Sequence, residues 1–371
     1  MRLSRWMDFD PVTWLIVVLL LAIGLATIYS ATVDTRGTRY VYRQLLAIGL
    51  GLLAGAAFGL ISYEKWLSWA PTFYAASIAL LVGTLAFGHA VSGSKSWIGI
   101  GSFRLQSSEM AKLAVVLMWA RIYGGRHAER LRTSPFRLRD LGVTSAIAAL
   151  PVGLILLQPD FGTALTFFFP LAVLWFLLRM PLRYWLVLGL AALMAVPIGW
   201  SLLKPYQKAR VLTFLKSEAI DPQGSGYQVL QSKIALGSGG FWGKGFRQGS
   251  QAQLGFVPAR HTDFILASLG EEWGFIGIVL VFLLFMALFA RWFTLAGRTP
   301  DPAGQLIIAL VLAFWVFHFG VNAGMAIGWF PVTGLPLPLV SYGGSFLLFC
   351  LSSVGLVLNV YWRRHEVLSR L

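Results

Sequence analysis

Pro11-Val-Thr-Trp-Leu-Ile-Val-Val-Leu-Leu-Leu-Ala-Ile-Gly-Leu-Ala-Thr-Ile-Tyr-Ser30 decides the architecture. The stretch carries no charge, and a helix of about 20 apolar residues is what the ~30 Å hydrocarbon core of a bilayer requires. Similar runs recur at 41–62, 67–88, 109–123, 141–158, 162–179, 184–203, 263–290, 304–329 and 343–362, ten in all. The run at 109–123 is short and carries Glu109 and Lys112 near its start. No small-residue cleavage site follows the first run, so it is read as a helix that stays, not a signal peptide. The expected fold is all-α: one membrane domain over 1–371, a bundle of about ten transmembrane helices.

Composition agrees. Of 371 residues, 57% are hydrophobic and 12% charged, against about 25% charged in an average soluble domain. That leaves too little polar surface to clothe a soluble body. Cys350 stands alone in an apolar run, which excludes a disulfide framework and a zinc site built on cysteine. The five histidines show no metal-ligand spacing. The net charge of +15 is read as loop retention and contact with anionic lipid, not nucleic-acid binding. Lys and Arg crowd one set of short connections, including Arg121, Arg126, Arg130, Arg132, Arg137 and Arg139, whereas the other set holds Arg36, Arg39, Arg43, Lys95 and Arg104. Both termini are therefore expected in the cytoplasm.

One connection is longer than a bundle needs. The loop at about 204–262 alternates aromatic, Gly, Gln and basic residues, which favours function over disorder. It ends in Arg260-His-Thr-Asp263-Phe-Ile265. Two readings stand. Thr262 or Asp263 caps the following helix, or Asp263 is a half-desolvated carboxylate, raised in pKa and suited to general-base work beside Arg260 and His261. Upstream, Gln231-Ser-Lys233 and Gly237-Ser-Gly-Gly240-Phe-Trp-Gly243-Lys244-Gly245 suit phosphate oxygens. The run is no P-loop, because Ser238 and Gly245 occupy required positions. Its plainer reading is a flexible re-entrant turn.

Glu109 and Lys112 share a helical face, either as an ion pair that makes two membrane charges tolerable or as functional groups. In Gln158-Pro-Asp160-Phe-Gly-Thr163, Asp160 reads equally as a cap and as part of a site. Pro336-Leu-Pro-Leu-Val-Ser341-Tyr342-Gly-Gly-Ser345 interrupts the last runs, and irregular backbone at membrane depth survives only beside a cavity or buried in protein. Glu109, Asp160 and Asp263 all fall on the outer side, among Lys208, Arg210, Lys233 and Lys244. That grouping points to an outward cavity for a substrate with anionic phosphate and reactive hydroxyl groups.

These motifs, with Ser107-Ser108-Glu109-Met-Ala-Lys112, resemble the SEDS family of membrane glycosyltransferases that polymerise bacterial peptidoglycan. The likeness runs the length of the chain. Gly243-Lys-Gly-Phe246 and Gly249-Ser-Gln-Ala-Gln-Leu-Gly-Phe256 resemble its elongation branch more than its division branch. Ser107 replaces a usual Pro, Ala259 a usual Glu, and Phe346 a common second Ser.

The resemblance implies polymerisation of lipid II in the bacterial cytoplasmic membrane, with an extracytoplasmic active site. The growing polyprenyl-diphosphate-linked glycan is the donor, and a class B penicillin-binding protein transpeptidase is the partner. Asp263 is the expected base. Glu109, Lys112 and Asp160 would orient it, the sugar or a metal. Arg104, Arg210, Gln231, Lys233, Lys244, Arg260, His261, Thr262, Ser341 and Tyr342 would bind substrate. A divalent cation, Mg²⁺ or Mn²⁺, is expected for the diphosphate. Competing readings are a lipid II flippase or transporter and a non-catalytic scaffold that activates the transpeptidase. A transporter places its polar groups near the bilayer midplane in paired halves, whereas here they gather at one rim.

Overall fold

The computed structural model describes residues 10–91, 94–100, 103–125, 136–202 and 225–364, with 208 and 212 between them. The helices are α1 (Pro11–Arg36), α2 (Arg39–Leu60), α3 (Tyr63–Phe87), α4 (Ser107–Tyr123), α5 (Leu138–Leu157), α6 (Phe161–Leu165), α7 (Phe168–Leu177), α8 (Leu182–Leu202), α9 (Ser225–Gly239), α10 (Ser250–Gln253), α11 (Ile265–Arg298), α12 (Pro302–Ala326) and α13 (Gly344–Trp362). Every expected apolar run is helical. Eight of these helices are long and apolar enough to cross a membrane, while α4 and the α6–α7 pair are shorter. Side chains such as Leu46, Leu53, Leu190 and Phe293 point outward, as a lipid-facing surface requires.

Local chemistry sets the ends. Pro11 and Pro302 open α1 and α12, where a missing N–H costs nothing. Asp301 caps α12 by accepting from Gly304 N at 2.9 Å. Asp10 instead takes the fork of Arg291, at 2.9 to 3.2 Å, which joins α1 to α11. Tyr63 Oη donates to Asp301 at 3.0 Å. These contacts mark one face of the bundle. The opposite face, here the loop face, carries α9, α10 and a small antiparallel sheet.

That small sheet is an addition to a fold that is otherwise all-α, as expected. Strands β1 (His89–Val91), β2 (Ser94–Ile100) and β3 (Phe103–Gln106) pair in chain order, with Trp97 opposite Gln106 and Gly99 opposite Arg104. Lys95 N donates to Gln158 O at 3.2 Å, which ties the sheet to the α5–α6 turn. The 162–179 run is also interrupted, between Leu165 and Phe168.

The run at 263–290 is not one helix. Gly274 has φ 66 and ψ −163, so a buried half-helix, Ile265–Trp273, precedes the membrane span. Such a break orphans carbonyls on one side and N–H groups on the other. The glycine-rich turn supplies four replacements. Lys244 N and Gly245 N donate to the carbonyls of Glu271 and Glu272, both at 3.0 Å, and Phe275 N and Ile276 N donate to Gly240 O and Phe241 O at 2.9 and 3.3 Å. The turn has positive φ at Gly240, Gly243 and Gly245, values a β-carbon would strain. Gln231 lies within a helix rather than in a re-entrant turn, because α9 continues to Gly239.

α13 packs along α2 at backbone contact. A β-carbon on Gly355 would collide with the Gly55 carbonyl, the close approach that small residues permit between membrane helices. Buried Asn359 donates to Phe58 O at 2.6 Å and also to Ile61 O.

Candidate active site

The segment 327–343 between α12 and α13 forms a strap of irregular backbone. It descends into the bundle until Val340 lies against Gly24, at the middle of α1. Leu337, Leu339 and Val340 are fully buried, so this backbone is sheltered by protein. Leu339 takes φ 62, and Ser341 Oγ accepts from Leu337 N at 2.9 Å.

The strap and α12 grip the residues around Asp263 through three consecutive carbonyls. His261 O accepts from Tyr342 N at 2.9 Å, Thr262 O from Ser341 Oγ at 2.7 Å, and Asp263 O from Asn322 Nδ2 at 2.9 Å. On the N–H side, Thr262 N and Phe264 N both donate to Ala259 O, at 3.0 and 3.2 Å, with Ala259 at φ 50. Held groups of this kind resist reorganisation, which is what a catalytic constellation needs.

Asp263 is half-buried. It does not occupy the helix cap: that position falls to Phe264, which offers no oxygen. Its carboxylate lies beside Gly334, where a β-carbon would come 3.6 Å from Oδ2. The strap passes next to the Asp160 turn, because a β-carbon on Gly162 would strike Thr333 O. Asp160 does cap its helix, accepting from Thr163 N at 3.1 Å, and its second oxygen accepts from Gln106 Nε2 at 2.9 Å. Ser345 Oγ closes the circuit, accepting from Gln106 N and donating to Arg104 O, at 2.8 and 2.9 Å.

Glu109 and Lys112 form the buried ion pair, Oε2 to Nζ at 2.9 Å. Lys112 Nζ also meets His318 Nε2 at 3.1 Å and the rings of Phe349 and Phe346 at 4.6 and 5.2 Å. The pair sits between α4, α12 and α13, beneath the strap.

The proposed substrate-binding residues divide. His261 packs edge-on against Tyr40 at 4.7 Å and tilts toward Tyr342 at 5.6 Å. Burial pushes the Tyr342 hydroxyl above the usual phenol range, and facing Arg43 draws it back, with Arg104 also near. Arg104 and Lys233 are exposed, and Lys233 lies against Gly328. Arg260 is buried and donates to Ala31 O at 2.7 Å, so it anchors the loop-face end of α1. Thr262 Oγ1 donates to Ala259 O at 3.2 Å. Lys244 is paired with Glu271 at 2.6 Å, near the far end of the half-helix from Asp263. Its main-chain N–H, the group a phosphate cradle would use, is spent on Glu271 O. Arg210 lies outside the described residues.

Sequence reading passed over three buried groups. Glu271 accepts from Lys244 and from the N–H groups of Gln251 and Ala252, both at 2.8 Å. Glu272 accepts from Ser30 Oγ. Asn322 bridges the strap and the Asp263 segment. The only advance signal was a polar residue inside an apolar run.

The expected divalent cation can be tested against the donors present. Among the described residues, no three His, Cys, Asp or Glu side chains come together, so they build no resident metal cage. Mg²⁺ is characteristically held by one or two carboxylates plus substrate phosphates, and Asp263 with a bound diphosphate would fit that lesser requirement.

Fold and site together define a polytopic membrane protein in which a broken helix and an irregular strap meet at one face. Comparison with known proteins agrees. The profile of the FtsW, RodA and SpoVE cell cycle protein family matches residues 11–366. The chain is 38% identical over 366 residues to the peptidoglycan glycosyltransferase MrdB of Escherichia coli (strain K12), covering 97% of this chain and 95% of that one. It is 31% identical to the peptidoglycan glycosyltransferase RodA of Treponema pallidum, covering 98% and 100%. The crystal structure of Thermus thermophilus rod shape determining protein RodA superposes with a TM-score of 0.72 at 32% identity, covering 97% and 99%. A chain from a structure described as coordinating polymerization and crosslinking in a peptidoglycan synthase complex gives 0.82 at 34% identity, covering 96% and 99%. The chain belongs to the FtsW, RodA and SpoVE family.

Proposed function

We propose that this chain is a peptidoglycan glycosyltransferase of the elongation type, polymerising lipid II with Asp263 as general base. The observation that carries the reading is the grip on three consecutive carbonyls from His261 to Asp263, which fixes a half-buried carboxylate beside the strap. Relatives named peptidoglycan glycosyltransferase over nearly the whole length support it.

In this reading the Asp263 carboxylate takes the proton from the 4-hydroxyl of the acceptor sugar. That oxygen attacks the anomeric carbon of the lipid-linked glycan, and polyprenyl diphosphate leaves. Arg104 and Lys233, exposed at the same face, would meet diphosphate oxygens. A cation arriving with the diphosphate would supply charge neutralisation when bound. The active site faces outward from the bacterial cytoplasmic membrane, with both termini inside, and a class B penicillin-binding protein is the partner. The synthase-complex neighbour supports the last point.

Asp263→Asn tests the base. It keeps size and removes proton acceptance, which is typically worth ~10²–10⁴ in rate. The purified variant should melt near wild type and polymerise lipid II at least about a hundredfold more slowly. Asp263→Glu should recover part of the loss. Wild-type polymerisation by Asp263→Asn would overturn the assignment of Asp263 as base, whereas no polymerisation by the purified wild-type protein would favour the transporter reading, which broken helices would also suit. Excess chelator should abolish synthesis and Mg²⁺ or Mn²⁺ restore it; full activity in chelator removes the cation from the scheme.

A further inference from the structure

We infer that Asn322 is a positioning residue that sets the Asp263 carboxylate for catalysis; this rests on the reading of Asp263 as general base. Asn322 is fully buried on α12. Its Nδ2 donates to Asp263 O at 2.9 Å and to Leu335 O at 2.8 Å. Two carbonyl acceptors at one atom fix the amide orientation, since only an NH₂ group can serve both.

The first bond holds the peptide plane that follows Asp263, and with it the direction of its Cα–Cβ bond. The second holds the strap one residue past Gly334, the surface beside which the carboxylate lies. A single NH₂ thus fixes both the base's own backbone and its neighbour. One turn earlier on α12, His318 meets Lys112 Nζ, so α12 also links this point to the buried ion pair. A buried N–H donor is costly unless its hydrogen bond is made, and both donors of this amide are used on the site.

A carboxylate displaced by about 1 Å loses on the order of 10²-fold in rate. In purified full-length protein assayed on lipid II, Asn322→Leu should lower kcat by about 10- to 100-fold, with KM changed less than about twofold. Asn322→Gln keeps the donors one methylene too far out and should recover part of kcat. The decisive measurement is a double-mutant cycle. Because Asn322 acts through Asp263, adding Asn322→Leu to Asp263→Asn should slow the residual reaction by less than about twofold. Losses that multiply in full would overturn the proposal, as would a raised KM with normal kcat. A lower yield of folded enzyme whose active fraction turns over normally would also overturn it. Should Asn322→Leu not fold, Asn322→Ala, which removes both donors and adds neither bulk nor charge, takes its place with the same outcomes. Asp263→Asn at wild-type rate would instead refute the base reading on which this one stands.

Discussion

Breaking the Glu109–Lys112 pair should be far worse than removing it. Lys112 is fully buried and Glu109 only 6% exposed, with their charges 2.9 Å apart. Removing one partner of a buried pair strands the other charge and costs about 3–5 kcal/mol, while replacing both with groups of similar shape is often neutral. Lys112→Met leaves a carboxylate whose main attraction is gone. Glu109→Gln leaves an ammonium that still has His318 Nε2 at 3.1 Å and two ring faces at 4.6 and 5.2 Å. A desolvated cation–ring contact is worth up to about 2 kcal/mol. Glu109→Gln should therefore be milder than Lys112→Met by roughly 1–2 kcal/mol. The double variant should return to within about 1 kcal/mol of wild type. Unfolding of the purified protein in detergent, followed by the fluorescence of its 15 tryptophans, measures all three. A double variant less stable than Lys112→Met would show that the costs add and that the pair is not the unit.

Orientation can be read with thiols, because native Cys350 is buried. Cysteine at Gly237, exposed with nothing within 4 Å, should label with an impermeant reagent in intact cells, and cysteine at Gly125 should not; the reverse pattern inverts the topology. Glu271→Ala strips the acceptor from Lys244 and from two main-chain N–H groups. At about 1–3 kcal/mol for each stranded group, it should cost at least about 3 kcal/mol and open 240–262 to limited proteolysis. Unchanged protease resistance would show that the half-helix does not hold the loop.

The bundle was legible because spanning a bilayer demands long uncharged runs, and each expected run is helical. Its interruptions were not. Trp273-Gly-Phe275 continues an apolar pattern, and hydropathy is blind to one residue of positive φ. The glycine-rich run looked like a phosphate cradle because composition records which residues can turn, not what their N–H groups then bind. The answer lay some thirty residues on, in the carbonyls of Glu271 and Glu272. Asp263 read locally as cap or base. Only the structure shows Phe264 in the capping place, and only the family likeness suggested which acid matters. Asn322 gave no sequence signal beyond one amide in an apolar run, since its meaning depends on two carbonyls brought to it by tertiary folding.

The pairing of α2 with α13 has a consequence for how the chain is made. Gln44 waits 297 positions for Ser341, and Phe58 waits 301 for Asn359. At about 5–20 residues per second, roughly 15–60 s of synthesis separate each group from its mate. For that interval α2 stands in the bilayer with a glutamine and a glycine-lined seam facing lipid or a temporary companion. The last helix to emerge is the one that covers them. Assembly thus closes between an early helix and a late one, and a chain interrupted before α13 exposes a polar seam that membrane quality control can recognise.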